Sequence, residues 1–198
     1  MAPVAASPTR LPLFSNQPKI DAMTDIAIDS LTFRKPTLQD GYAIYELVKA
    51  SPPLDVNSSY LYFLQASHFA DTCLVVEHDG QLLGFVSAYF QPDATDTLFV
   101  WQVVVSKAAR GLGLAKKMLR QLVVNQAAHG VQRVTCTISP SNEASQALFR
   151  SFAEQYGWTL SCDPFIREAD FGGEGHEAED LYTVEAPDHS DLTKPLFT

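Results

Sequence analysis

The stretch Phe99-Val-Trp-Gln-Val-Val-Val105, followed by Ser106–Ala109 and then Arg110-Gly-Leu-Gly-Leu-Ala115, decides how this chain folds. The run Thr97–Val105 is nearly all apolar or aromatic, the pattern of a central strand buried on both faces. Beyond the glycines, from about Gly113 to Ala128, the apolar residues Leu114, Ala115, Met118, Leu119, Leu122 and Val123 recur at helical spacing, and Gly130 is a natural stop. A strand that passes through glycines into a helix gathers backbone N–H groups at the positive end of the helix, where they bind a pyrophosphate. No Gly-Lys-Ser/Thr follows at Walker spacing, and the third glycine of a dinucleotide fingerprint is missing. A plain tight turn before a helix uses the same glycines, so the loop alone leaves both readings open.

Working outward toward the N-terminus, Leu82–Phe90 and Cys73–Glu77 read as two strands joined by the hairpin turn His78-Asp-Gly80. Leu31–Lys35 is a short strand stopped by Pro36. Thr37 caps a helix with Asp40 near its positive end, and Ser51-Pro-Pro53 closes it. A second helix starts at Asn57 or Ser58. Toward the C-terminus, Val131–Ser139 alternates Val134, Cys136 and Ile138 as a strand, and Asn142–Tyr156 is a helix closed by Gly157. Asp163–Ala178 is acidic and glycine-rich and reads as a loop, and Leu181–Glu185 as a last strand. This order predicts one α/β (α+β) domain over residues 30–186, a mixed, mostly antiparallel sheet flanked by helices. Residues 1–29, with four prolines and no periodicity, are expected to be a flexible tail, and residues 187–198 a C-terminal tail.

The chain has 198 residues and a formal net charge of −9. An acidic surface argues against nucleic acid as a partner, because phosphate binding needs a basic face. Three cysteines without paired spacing give no disulfide framework, which suits a reducing cytoplasm, and no Cys or His cluster has metal-ligand spacing. No apolar stretch approaches the roughly 20 residues of a membrane helix. No continuous apolar signal-peptide core opens the chain.

The succession of strand, Arg110, Gly113 and Ala115, amphipathic helix, strand, and then Ser141-Asn142-Glu-Ala-Ser145-Gln-Ala-Leu148-Phe149 resembles the GCN5-related N-acetyltransferase family. The resemblance spans about Leu31 to Val184 and implies that family's fold with acetyl-CoA as cosubstrate. It implies that Arg110, Gly111, Gly113, Ala115 and Lys116 surround the CoA pyrophosphate. It implies that the backbone of Val103 and Val105 pairs with the pantetheine arm, that the Val103 N–H is the oxyanion donor, and that Asn142, Ser145 and Phe149 lie beside the cofactor. Many members carry a tyrosine where this chain has Phe149, so the acid that protonates the leaving thiolate is left unassigned.

Within the family, Arg34-Lys-Pro36, Ser51–Tyr60 and Phe99–Val105 resemble the branch that acetylates the 4-amino group of L-2,4-diaminobutyrate in ectoine biosynthesis, an osmoprotective pathway of the cytoplasm. A homodimer is the family-level expectation. A diamino acid carries two ammonium groups, so its site should present acids and aromatic walls. By resemblance, Asp55, Tyr60, Trp101, His176 and Glu179 form the acceptor pocket, with Glu179 or His176 taking the proton of the attacking amine. No metal is expected. Two other readings stay open: a different amine as acceptor, or a CoA-binding module without catalysis.

Overall fold

The computed structural model describes residues 28–173 and 175–196; the expected flexible tail therefore lies outside the described residues as far as residue 27. Seven strands form one sheet in the order β1-β2-β3-β4-β5-β7-β6. They are β1 (Thr32–Arg34), β2 (Cys73–His78), β3 (Gln81–Gln91), β4 (Ala94–Val105), β5 (Arg133–Ile138), β6 (Thr159–Ile166) and β7 (Glu179–Glu185). Every neighbouring pair is antiparallel except β4 with β5. Among the described residues four α-helices complete the fold: α1 (Gly41–Lys49), α2 (Ser59–Gln65), α3 (Leu114–Asn125) and α4 (Glu143–Tyr156).

The two faces of the sheet carry separate cores. Helices α3 and α4 pack on one face, where Met118, Leu122 and Phe152 meet Val86, Leu98 and Val134. Gly84 on β3 permits the close approach: a Cβ there would sit 2.7 Å from Met118 Sδ. Helices α1 and α2 cover part of the other face, where Ile44, Val48 and Tyr62 meet Val75, Phe85 and Val104. The turn into α1 is fixed by Asp40, whose carboxylate accepts from the Thr37 backbone N–H at 2.6 Å and its hydroxyl at 2.9 Å. Arg34 grips the same carboxylate through two bonds of 2.8 Å and reaches Glu77 at 2.7 Å, tying β1, β2 and α1 together. Burial pushes the Asp40 carboxyl up, but the Arg34 guanidinium and the two Thr37 donors outweigh it and hold it below its ordinary range.

Strand β4 is not uniformly buried as its sequence implies. Ser87 pairs with Gln102 and Ala88 with Val100, so Trp101 is an extra residue, a β-bulge. Upstream of it Leu98 and Val100 face the α3/α4 core; downstream Val103 and Val105 do, while Val104 turns to the α1/α2 core. Trp101 itself is 50% exposed.

Three further expectations are revised. Residues 163–166 belong to strand β6, paired with β7, rather than to a loop. As the last strand of the sheet, β6 is largely exposed and accommodates Asp163 and Pro164, which hid it from hydrophobic patterning. The compact unit runs past residue 186: Leu192 and Leu196 are buried in the α3/α4 core, and the Leu192 N–H donates to Val131 O at 2.7 Å. Helix α3 ends at Asn125, after which Ala127–His129 tighten into a 3-10 turn before Gly130.

Candidate active site

The parallel pair β4–β5 is short. Thr97, Leu98 and Phe99 pair with Arg133, Val134 and Thr135, and there the ladder stops, although β4 continues to Val105 and β5 to Ile138. The two strands splay apart from the bulge onward and leave a cleft. The direction of the backbone groups in this cleft follows from the ladder on the other side. Ser106 N–H donates to Leu83 O at 2.8 Å, which makes that pair hydrogen-bonded. Antiparallel pairs alternate, so Val104 and Gln102 also bond to β3, and Val103 and Val105 turn their N–H and C=O groups into the cleft. Arg110 agrees with this: its Nε donates to the Val105 carbonyl at 3.4 Å.

At the lower end of the cleft the glycine loop leads into α3. Gly111 and Gly113 have φ of 81° and 68°, a left-handed backbone that favours glycine, and open space lies where their Cβ atoms would stand. The first bond closing α3 runs from Lys117 N–H to Gly113 O, so the N–H groups of Leu114, Ala115 and Lys116 have no partner within the helix. They face a groove of about 370 Å³ lined by Val105, Arg110, Gly111, Gly113, Ala115 and Lys116, together with Leu148 and Ser151 of α4. This is an anion cradle continuous with an unpaired strand edge, and it suits a pyrophosphate joined to an amide-bearing arm.

Asn142, Ser145 and Phe149, expected beside the cofactor, are not among the residues lining this groove. Asn142 is the N-cap of α4, with its side-chain oxygen accepting from Ser145 N–H at 3.1 Å; these two residues are thus bound to each other. Phe149 is 3% exposed and belongs to the α3/α4 core. Helical spacing explains this, because Phe149 shares a face with Phe152 and Ala153, whereas Leu148 and Ser151 point to the groove. Neither of the latter two was legible as a groove residue.

A second opening lies beside the bulge, under α2. An apolar hollow of about 190 Å³ lies between α2 (Leu61, Gln65), Phe69 and the strand residues Ser87, Tyr89 and Trp101. Asp55 precedes α2, and its carbonyl accepts from Gln102 Nε2 at 3.0 Å, which ties that loop beside the bulge. Tyr60 lies in the first turn of α2 with its side chain largely in solvent. Glu179 is the first residue of β7. Burial raises its carboxyl, a hydrogen bond from Thr137 partly opposes this, and the nearby charges of Asp55, Asp180 and Glu177 raise it further. Asp55 and Glu179, 124 positions apart by subtraction of their numbers, thus share one electrostatic environment. His176 packs on Phe171, with ring centroids 5.1 Å apart, and among the described residues forms no hydrogen bond to Glu179. Glu177 beside it accepts from Ser141 N–H at 3.1 Å, linking the loop before β7 to the start of α4.

Among the described residues no group of His, Cys, Asp and Glu has the arrangement of a metal site, and no helix is long and apolar enough to cross a membrane. Cys73 and Cys136 are buried and their thiols pushed up by burial, Cys73 to about 12, which makes them inert packing groups.

A glycine cradle, a splayed strand pair and an acid-lined mouth make up an acyl-CoA-dependent transferase site. The sequence pattern of the acetyltransferase (GNAT) family matches residues 41–153, and the chain belongs to that family. L-2,4-diaminobutyric acid acetyltransferase of Chromohalobacter salexigens is 42% identical over 165 residues, covering 83% of this chain and 85% of that one. The enzyme of the same name from Vibrio parahaemolyticus is 45% identical over 153 residues, covering 77% and 84%. Among solved structures, diaminobutyrate acetyltransferase EctA from Paenibacillus lautus, in complex with L-2,4-diaminobutyric acid and coenzyme A, matches with a TM-score of 0.74 at 39% identity, over 78% of this chain and 94% of that one.

Proposed function

We propose that this chain transfers the acetyl group of acetyl-CoA to the 4-amino group of L-2,4-diaminobutyrate, giving N4-acetyl-L-2,4-diaminobutyrate and CoA. The observation that carries the reading is Asp55, held beside the bulge by the Gln102 hydrogen bond next to Trp101 and near enough to Glu179 for its charge to raise that carboxyl. Relatives similar over more than three quarters of this chain carry the name of that activity.

The chemistry follows from the groups present. The amine must lose a proton before it attacks the thioester carbon. Glu179, with its carboxyl raised by burial and by neighbouring acids, is the base, directly or through one water. The new C–N bond forms as the carbonyl oxygen takes negative charge, and the Val103 N–H, turned into the cleft, donates to it. The carbonyl then re-forms as the C–S bond breaks, the electron pair leaves with sulfur, and the nitrogen releases its second proton to solvent to give the neutral amide. Phe149 offers no proton, so the thiolate leaves as such, a fair leaving group near neutral pH. Asp55, Tyr60 and His176 complete the acceptor mouth, and Asn142 and Ser145, bonded to each other at the start of α4, lie beside the pantetheine arm.

The same reading puts the enzyme in ectoine biosynthesis, a response to osmotic stress, working in the cytoplasm as a homodimer. Light scattering on purified protein tests the assembly. For the activity, the protein is incubated with acetyl-CoA and each of a panel of amines, and free thiol is followed. Release with L-2,4-diaminobutyrate well above that with other amines is expected. No release with this acceptor, but release with another, would sink the substrate assignment.

A further inference from the structure

In a regular strand, successive side chains point to opposite faces. The bulge suspends that rule at Trp101 and Gln102. Gln102 pairs with Ser87 and shares the face of Phe85 and Val104, toward the α1/α2 core. Trp101 has no partner on β3 and borders the hollow with Ser87 and Tyr89 on that same face. Two neighbouring side chains therefore reach the acceptor side together, and they do different things there. Trp101 stands as a wall of the hollow. Gln102 gives its amide N–H to the main chain, donating from Nε2 to Asp55 O at 3.0 Å. The loop that receives this bond, residues 50–58, lies between α1 and α2. Its other bonds stay within the loop and its flanking helices: Ser51 Oγ donates to Leu47 O at 2.8 Å, Leu54 N–H to Ser51 O at 3.3 Å, and Asn57 N–H to Tyr62 Oη at 3.2 Å. Among the described residues the Gln102 bond is the one hydrogen bond that joins this loop to the sheet.

Asp55 is exposed, and among the described residues its carboxylate accepts no hydrogen bond, so the place of that carboxylate follows from its backbone. Glu179 stands on a different element, β7. The spacing of the two carboxylates is thus set through the sheet, and Gln102 is the side chain that passes it to the loop. We propose that Gln102 is a positioning residue for the acceptor: it holds Asp55 where the carboxylate, together with Glu179, receives the amine, and it does so without touching the reacting atoms. The inference rests on the reading of Asp55 as an acceptor group. An amide suits the task. It donates without charge, whereas Lys or Arg would set a cation in a mouth that takes an ammonium, and a carboxylate cannot donate. Gln102 is also next in the chain to Val103, whose N–H faces the thioester. A role confined to the shape of the strand would therefore reach the chemical step, while a role through Asp55 reaches the acceptor alone.

The test measures kcat and KM for L-2,4-diaminobutyrate in wild type, Gln102→Met, Asp55→Ala and the double variant, with acetyl-CoA affinity and thermal midpoint alongside. Methionine keeps the length of the side chain and removes the donor. Gln102→Met should raise KM for the acceptor about 10-fold, with kcat within about 3-fold of wild type and acetyl-CoA affinity unchanged. Asp55→Ala should raise the same KM by about 30-fold. Adding Gln102→Met to it should change KM little further, because a latch has no effect once the group it holds is gone. Effects that multiply in the double variant overturn the positioning role, and so does a fall in kcat with KM unmoved. Should Gln102→Met fail to fold, Gln102→Asn, which keeps the amide and withdraws it by one methylene, takes its place in the same cycle. If Asp55→Ala raises KM and the Gln102 variant does not, the latch alone falls. If Asp55→Ala leaves KM unchanged, or wild type turns over other amines but not L-2,4-diaminobutyrate, the functional reading has failed and the latch falls with it.

Discussion

The two ends of the cleft are built on different principles. The cofactor end is made of backbone: two glycines with positive φ, three helix-start N–H groups and the inward edge of Val103 and Val105. All of that backbone comes from residues 103–116, with Leu148 and Ser151 of α4 lining the groove beside it. The acceptor end is made of side chains from three separated segments: α2 with the loop before it, the β3/β4 hairpin with its bulge, and the start of β7. A backbone site recognises what every family member binds. A side-chain site assembled by tertiary structure is free to vary with the acceptor. The contrast teaches that the shared substrate is held by local geometry and the particular one by long-range packing.

The strongest way to break one end and spare the other is Gly113→Asp. A side chain at φ 68° is strained, and its charge opposes the pyrophosphate, so acetyl-CoA binding should weaken by about 100-fold or more in calorimetry. The far-ultraviolet dichroism should stay close to wild type, because a Cβ at this position meets open space. Unchanged affinity would remove the cradle from the account.

Glu179→Gln attacks the other end. Loss of the base should lower kcat by about 100-fold, within the usual range for general-base catalysis, while acetyl-CoA affinity holds. The raised carboxyl also makes a stability prediction. A carboxyl raised in the folded state binds its proton more tightly there than in the unfolded chain. Its stabilising contribution is present below the unfolded value and is lost as pH rises through the folded one. Ionised Glu179 therefore burdens the fold at neutral pH. The variant should unfold at an equal or higher temperature than wild type at pH 7, with the gain disappearing in acid. A lower midpoint at pH 7 would show that the Thr137 hydrogen bond outweighs burial.

The smallest effect is expected from Glu177→Gln. Glutamine keeps an oxygen for Ser141 N–H but removes one of the charges that raise Glu179. The acid limb of the kcat/KM profile should move to lower pH with little change in its plateau. Glu177→Ala, which also loses the link to α4, should in addition lower the plateau. Identical profiles for the two variants would mean that the link contributes nothing to the acceptor end.

The same contrast explains what the sequence revealed. Strand, glycine loop and helix are contiguous, and their periodicity and φ requirements stand in the residue types, so the sheet-and-helix order was legible from residues 97–128. The β3 and β4 strands, the Asn142 cap and the Gly157 stop were also legible, each being a local signal. Strand β6 was not, because an exposed edge carries no alternation. Leu192 and Leu196 were missed because two apolar residues in a polar segment have no period. At the site, Phe149 and its neighbours Leu148 and Ser151 could not be sorted until the face of α4 was known.

The bulge at Trp101 makes the chain's numbering part of its chemistry. One surplus residue shifts the phase of everything from Gln102 to Val105, so that Val103 and Val105 look toward the cleft and Gln102 toward the acceptor loop. Deleting one residue between Val100 and Val103 would leave the composition almost unchanged yet make the ladder regular, with Val103 and Val105 still opposite Val86 and Gly84. The chain would then keep its sheet and its cofactor edge and lose one of the two successive side chains that the bulge presents to the acceptor. Substitutions in this strand are small events; a change of its length by one is a change of enzyme.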